Sequence, residues 1–164
     1  MKIKISEPER PTDLIEPLLA MIQAAFAAQH GDVDPETSAT QYTEESLRKV
    51  IEDEHLAIAS IGRQMVGSVL FSAEGDDLFL HTLAVSPDHR RKGVARTLIG
   101  HVVNCGEEGG YRQVTLNARM NMTGNRRLFE SLGFREVEPD DQRRYHKQPT
   151  YSKMAKELIA LNTR

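Results

Sequence analysis

The sequence predicts an α/β (α+β) fold, in which helices cover the faces of a mixed β-sheet. Three observations lead to this prediction. The chain has 164 residues, of which 39% are hydrophobic and 27% charged, and this composition is typical of one globular domain over 1–164. Apolar residues follow a helical spacing in some segments and a strand spacing in others. These segments interleave in the order β-α-α-β-β-β-α-β-α-β-β, without internal repeats or a linker.

In the first half of the chain, the hydrophobic period changes once. The alternating KIKIS predicts a strand at 2–6. Helical spacing then predicts helices over 11–26 and from Thr43 onward, with a polar loop over 31–40 between them. After the second helix the period becomes that of strands, predicted at 56–61, 65–72 and 78–85.

In the second half, helices and strands alternate. A helix over 94–108 is stopped by Gly109 and Gly110, and a helix over 123–132 is closed by Gly133. The remaining predicted segments are strands at 113–118, 134–137 and 150–155, and a loop at 139–144.

Composition and charge exclude several functional classes. No apolar run is long enough to cross a bilayer, and the start MKIKISEPERP has no signal-peptide character, so a cytoplasmic location and no membrane partner are expected. The net charge of −3 argues against nucleic-acid binding. Cys105 is the single cysteine and is expected to fill space in a helix. No metal site is predicted, since the following histidines show no ligand spacing: His30, His55, His89, His101 and His146.

The stretch SPDHRRKGVAR, residues 86–96, concentrates positive charge where a strand gives way to a helix. The first N–H groups of a helix lack internal partners and lie at the positive end of its dipole. Gly93 allows a ligand close to the backbone, and Ala95 adds only a methyl group. This pattern suits an anion, above all a diphosphate. Neither the P-loop nor the dinucleotide-binding fingerprint is present.

In context, this stretch resembles the GNAT N-acetyltransferase superfamily. The family pattern [QR]-x-x-G-x-[GA] is present as Arg90-Arg91-Lys92-Gly93-Val94-Ala95, after a strand that ends in Leu83-Ala84-Val85. The later run NRRLFESLGF at 125–134 is similar to the family's helix that ends in LGF. The resemblance is best over about 55–155. It implies a mostly antiparallel sheet of about six or seven strands with about four helices.

The resemblance also implies acetyl-CoA as cosubstrate. The backbone of Leu83, Ala84 and Val85 would pair with pantetheine, and the Leu83 N–H would polarise the thioester carbonyl. Contacts to the rest of CoA are implied for Arg90, Arg91, Lys92, Gly93, Val94, Ala95, Arg96, Asn125 and Phe129.

The sequence departs from the family pattern at its usual acid and base positions. Phe129 replaces a proton-donating Tyr, Met122 replaces an Asn, and Asn117 replaces a Glu. The reaction then either needs no dedicated acid, because a thiolate already leaves readily, or uses another tyrosine. The candidates are Tyr111, Tyr145 and Tyr151.

His81 is the candidate general base. It alternates with Leu83 and Val85 in the strand over 78–85 and is expected to face the same cleft. A neutral imidazole accepts an amine proton near neutral pH. The alternative is a half-buried structural histidine.

The acceptor is expected to be an amine on a small molecule or a peptide. Residues 31–55 carry eight acidic and two basic side chains, either a wall that attracts a cationic amine or a solvated surface. The basic run at 143–147 either borders the acceptor or is a solvated loop. The leading hypothesis is a GNAT-type acetyltransferase, and the alternative is a CoA-binding regulatory module without turnover. Monomer and homodimer both stay open.

Overall fold

The computed structural model describes residues 2–27, 42–119, 123–140 and 151–159. Its elements follow the predicted order. They are β1 Ile3–Ser6, α1 Ile15–Ala27, α2 Glu44–Asp53, β2 His55–Ile61, β3 Gln64–Glu74, β4 Asp77–Val85, α3 Val94–Gly109, β5 Gln113–Arg119, α4 Thr123–Ser131, β6 Arg135–Asp140 and β7 Tyr151–Glu157. Among the described residues, no helix is both long enough and apolar enough to cross a membrane.

The strands form one seven-stranded sheet in the order β1-β2-β3-β4-β5-β7-β6. All neighbouring strands are antiparallel except β4 and β5, which are parallel. A parallel pair needs a crossover, and α3 supplies it between these two strands. The predicted mixed, mostly antiparallel sheet is therefore confirmed.

Helices cover both faces of the sheet, and each face has its own core. On one face, Leu98 and Val102 of α3 pack with Val69 and Leu80 of the sheet. On the other face, side chains of α1 and α2 pack against the sheet. The buried members contributed by these two helices are Ile15, Leu18, Met21, Ile22, Ala25, Leu47 and Ile51.

Local chemistry explains the helix ends. Thr43 caps α2 in a capping box with Ser46, whose backbone N–H donates to the Thr43 hydroxyl at 3.1 Å. Gly110 ends α3 in the left-handed conformation, with φ of 76°. The first predicted helix instead begins as a 3₁₀ turn, Pro11–Leu14, with Arg10 as an N-cap that makes no side-chain hydrogen bond.

The loop predicted at 139–144 is wrong at its start. β6 continues through Pro139 to Asp140, where it still pairs with Tyr151 of β7. β6 is the outermost strand of the sheet, and an edge strand tolerates a proline because one side of its backbone needs no partner.

Candidate active site

β4 and β5 separate partway along their length. They pair only where Asp77–Phe79 lies beside Gln113–Thr115. Farther along, β4 stays paired with β3 as far as Val85, and β5 stays paired with β7 as far as Arg119. In the described part of the chain, the second half of β4 therefore has an open backbone edge facing β5.

A β-bulge coincides with this separation. Leu70 of β3 pairs with His81, but Ser68 pairs with Ala84, so β4 carries one extra residue between these pairs. Within the bulge, Thr82 has a φ of 50°. A β-branched residue rarely adopts that conformation, and such strain is concentrated at functional sites.

The open edge presents backbone donors. The Ser86 N–H donates to the Val66 carbonyl at 2.8 Å, toward β3. Because N–H directions alternate along an antiparallel strand, the N–H groups of Leu83 and Val85 point the other way, into the opening. A ligand lying along this edge meets the same donors as a neighbouring strand would.

The loop after β4 leads this edge to the N-terminus of α3. Gly93 is the N-cap of α3, with φ of 84°, and Arg91 is also left-handed, with φ of 63°. Left-handed residues beside right-handed ones can turn successive N–H groups toward one side, as they do in anion-binding concavities. A Cβ at Gly93 would meet no atom within 4 Å, so the space beside it is open. Arg91 and Lys92 are exposed and add positive charge.

Arg90 in the loop and Arg96 in the first turn of α3 both have side-chain partners. Arg90 Nη2 donates to the Ala25 carbonyl at 2.6 Å, in the last turn of α1. Arg96 Nη2 lies 3.5 Å from the Ser131 hydroxyl of α4. Because its guanidinium is held by α1, Arg90 can serve an anion mainly through its backbone.

His81 is held by polar partners on the α1 and α2 side of the sheet. Its Nε2 lies 2.6 Å from Glu54 Oε1, and its Nδ1 lies 2.9 Å from the Thr82 hydroxyl. Thr82 Oγ1 in turn lies 3.5 Å from the Tyr42 hydroxyl. The imidazole stacks on Phe79 with ring centroids 5.4 Å apart. With side chains 25% and 23% exposed, His81 and Glu54 are both within reach of solvent.

The expectation that His81 shares a face with Leu83 and Val85 is wrong. The bulge reverses the side-chain alternation, because Leu80 before it and Leu83 and Val85 after it all pack with the α3-side core. His81 lies on the opposite face, where its strand partner Leu70 and the later Ala84 belong to the other core.

Sequence reasoning missed the partners of His81. Glu54 follows α2 and was counted only as part of an acidic segment, although it meets a residue 27 positions later. Tyr42 is 40 positions from Thr82. The sequence offers one indication of Glu54, which is its position directly before β2. A carboxylate directly before a buried strand often lies at the end of a sheet.

The other predicted residues lie in several different parts of the fold. Phe129 is buried in the core, where its ring meets Phe134 edge-on at 6.2 Å. Asn117 and Asn125 are exposed, and Tyr111 packs partly buried against the core under α3. The CoA contacts assigned to Asn125 and Phe129 stay predictions. Several predicted positions lie outside the described residues or have no described side chain: residues 31–41, Met122, 141–150 and Tyr151.

Cys105 is a partly buried thiol on α3. Burial, followed by the nearby carboxylates of Glu7 and Glu108, raises its pKa to about 11. The thiolate is the nucleophilic form, so Cys105 is a poor candidate for covalent catalysis.

The fold and site together combine a sheet opened at one parallel strand pair with a left-handed loop and the N-terminus of α3 at the end of the opening. The chain belongs to the acetyltransferase (GNAT) family, whose model matches residues 19–134, more than half of the chain.

Two kinds of relative agree with this assignment. The [ribosomal protein bS18]-alanine N-acetyltransferase of Escherichia coli (strain K12) is 36% identical over 62 residues, and the match spans 38% of this chain but only 42% of that relative's length. The crystal structure of the E. coli ribosomal-protein-S18-alanine N-acetyltransferase has a TM-score of 0.74 at 22% identity, over 99% of both chains. PaiA N-acetyltransferase from Thermoplasma acidophilum in complex with coenzyme A gives 0.79 at 16% identity, over 96% of this chain and 99% of that one. At these identities the structures show a shared fold.

Proposed function

We propose that this protein is an N-acetyltransferase that moves an acetyl group from acetyl-CoA to a primary amine by direct attack in a ternary complex. The observation that carries the proposal is the open edge of β4, which runs directly into the left-handed loop at Gly93 and the N-terminus of α3. One continuous surface thus offers strand-like donors to an extended chain and an anion site at its end.

Acetyl-CoA fits this surface in two parts. The pantetheine amides pair with the backbone of Leu83 and Val85, in the position that a further strand would occupy. The backbone of Ala84 between them faces β3, where it pairs with Ser68, so the contact expected for Ala84 is not part of this pairing. The pyrophosphate would lie at residues 91–96. There its oxygens would accept hydrogen bonds from backbone N–H groups of the loop and of the first turn of α3. Arg91 and Lys92 balance its charge.

The Leu83 N–H stabilises the reacting carbonyl. It points into the opening just after the bulge, so the thioester oxygen can accept from it as negative charge develops there. The acceptor nitrogen bonds to the carbonyl carbon, and the C–S bond then breaks. The sulfur leaves as a thiolate, which does not need the proton that a tyrosine at position 129 would give.

His81 removes the proton from the acceptor amine. Its Nε2 faces Glu54, which makes Nδ1 the acceptor nitrogen, and Thr82 lies between Nδ1 and solvent. The Thr82 hydroxyl can pass a proton to Nδ1 while it takes one from the amine or from a bridging water. Cosubstrate and acceptor then approach from opposite faces, since His81 lies on the α1 and α2 side.

The acceptor is a cationic amine. α2 presents exposed Glu44, Glu45, Glu52 and Asp53 on the His81 side of the sheet, against exposed Arg48 and Lys49. The remaining negative charge raises the local concentration of ammonium groups. The name of the E. coli relative assigns it an alanine of ribosomal protein bS18, so a peptide amine is placed in the acceptor panel beside small amines.

A catalytically silent CoA-binding module is the second candidate. Two observations favour it. Phe129 is packed in the core and has no proton to give, and Asn117 stands where the family often has a Glu. A cytoplasmic location, a single domain over 1–164 and the monomer or homodimer state stay predictions.

The test combines thermal unfolding with thiol release. Acetyl-CoA at 100 times its Kd should stabilise the fold by about 2.7 kcal/mol. Gly93→Ala should weaken this effect, because it places a side chain in a left-handed residue of the loop. Gly62→Ala is the matched control, since Gly62 is also left-handed and open but lies in the turn between β2 and β3. It should lose similar stability and keep the ligand effect.

Three results separate the candidates. Stabilisation together with CoA release by an amine or peptide supports the acetyltransferase. Stabilisation without release by any acceptor in the panel supports the binding module. No stabilisation by acetyl-CoA or CoA, or equal loss of it in Gly93→Ala and Gly62→Ala, overturns the proposed site.

A further inference from the structure

A group of side chains with metal-ligating atoms lies on the α3 face, away from the opening in the sheet. Glu7 follows β1, and His101 and Cys105 lie one helical turn apart on α3. His101 Nε2 is 2.8 Å from Glu7 Oε2, and Cys105 Sγ is 3.5 Å from His101 Nε2 and 3.8 Å from Glu7 Oε2. One carboxylate oxygen, one imidazole nitrogen and one thiol sulfur therefore lie within 4 Å of one another.

These separations are close to those around a tetrahedral zinc ion. Bond lengths of about 2.0 Å to nitrogen or oxygen and about 2.3 Å to sulfur give sulfur separations of about 3.5 Å from either atom. The two observed sulfur distances lie near that value. Only the Glu7–His101 contact must lengthen, from a hydrogen bond to about 3.3 Å. A small rotation of the half-exposed Glu7 side chain supplies this.

Two neighbouring side chains, Phe71 and His55, lie against His101 and Glu7. Phe71 of β3 meets the His101 ring edge-on at 6.2 Å and stacks on His55 at 5.1 Å. His55 Nδ1 lies 3.6 Å from the other carboxylate oxygen, Glu7 Oε1. His55 thus lies near the carboxylate, and Phe71 packs against both imidazoles.

We infer that Glu7, His101 and Cys105 form a binding site for a borderline-soft divalent metal ion, with zinc as the expected ion. Mixed thiolate, imidazole and carboxylate ligands select zinc over magnesium or calcium, which prefer oxygen alone. Binding forms a metal–sulfur bond and releases the thiol proton to solvent. A water completes the fourth position, because Glu7 leaves the site partly open.

This site is independent of the proposed acetyl transfer. Cys105 lies twelve residues after Gly93, about 18 Å along the axis of α3. The metal would tie β1 to α3 across one edge of the sheet, which predicts a stabilising role. The sequence does not indicate this site. Two of its ligands lie on α3, but the third, Glu7, lies far from them in the chain.

The experiment uses the reduced, metal-free full chain titrated with Co²⁺, followed by absorption. The expected result is binding of about one ion per chain, with a thiolate-to-cobalt charge-transfer band and the strong visible bands of a tetrahedral centre. Zn²⁺ should displace the Co²⁺ and raise the melting temperature. Cys105→Ser should abolish the charge-transfer band, and Glu7→Gln and His101→Gln should weaken binding by about 10–100-fold.

Glu9→Gln is the matched control, because Glu9 is an exposed acid two residues from Glu7 and outside the group. It should bind Co²⁺ like the unchanged chain. Melting temperatures of the metal-free variants show that each is folded. A Co²⁺ complex without a charge-transfer band, no saturable binding, or equal binding by Glu7→Gln and Glu9→Gln would overturn the inference.

Discussion

At the scale of single residues, the two ring nitrogens of His81 have different partners. A carboxylate that accepts from Nε2 fixes the proton there, and Nδ1 is then left to accept from the Thr82 hydroxyl. Under the proposed function, this assignment would make Glu54 a positioning residue and His81 the group that takes up the amine proton.

The first prediction concerns this pair. His81→Ala should lower kcat by about 10²–10⁴-fold, because general-base catalysis contributes that much. Glu54→Gln should lower kcat by about tenfold, since an amide oxygen accepts the same hydrogen bond without its charge. Both variants should bind acetyl-CoA with unchanged Kd. The measurement is kcat and KM for one acceptor from about pH 6 to 9.

A purely structural histidine would give another pattern. His81→Ala would then change the melting temperature, while its kcat–pH profile would keep the shape seen in the unchanged chain. The same profile shape in both proteins would remove the base role.

At this scale the sequence is informative about residue type and weak about partners. It singles out His81 as a titratable group in an apolar strand. It does not indicate Glu54 or Tyr42, because those contacts depend on how α2 docks on the sheet. The strain at Thr82 is also hidden, since a threonine in a strand-like run predicts ordinary extended backbone.

At the scale of elements, the N-terminus of α3 lies close to β3 because Gly67 of β3 has no side chain. A Cβ at this position would lie 2.7 Å from Val94 Cγ1 and 2.9 Å from the Ala84 carbonyl oxygen. Val94 is the first residue of α3, and Ala84 lies between Leu83 and Val85, whose N–H groups form the open edge of β4. The missing side chain therefore sets the distance between the two halves of the proposed CoA site.

The second prediction follows from this close approach. Gly67→Ala should cost about 1–3 kcal/mol of stability, as overpacked cores do, and should also weaken acetyl-CoA binding because Val94 must move. Gly100→Ala, in α3 itself, meets no atom within 4 Å and should stabilise the chain by about 0.5–1 kcal/mol. Chemical denaturation and acetyl-CoA titration of both variants provide the measurement. Unchanged ligand affinity in Gly67→Ala would contradict the proposed link.

Elements are the part of the fold that the sequence predicts well. Spacing placed all four helices and all seven strands in order, because each buries one face and its apolar period is visible. The sequence does not predict the bulge in β4, because the pattern LFLHTLAV is typical of one regular strand. The end of β6 was missed because Pro139 marks a loop in sequence, whereas at a sheet edge it is tolerated.

At the scale of the whole molecule, the sheet consists of two blocks. Strands β1–β4 form one block and β5–β7 the other, and they join through the short pairing of Asp77–Phe79 with Gln113–Thr115. α3 bridges them, since its core includes Val69 of the first block and Leu116 of the second. A ligand between the blocks would complete backbone pairing that the fold leaves open.

The last prediction concerns hydrogen exchange of the whole chain with and without acetyl-CoA. The amides of Leu83 and Val85 should exchange quickly alone and slowly with ligand, because pantetheine would accept from them. The Ser86 amide is an internal control, since it already donates to Val66 and should change little. Amides of β1 and β2, far from the opening, should also be unaffected. If protection rises equally in both blocks, ligand binding stabilises the fold in general, and the pairing at the open edge of β4 is not its cause.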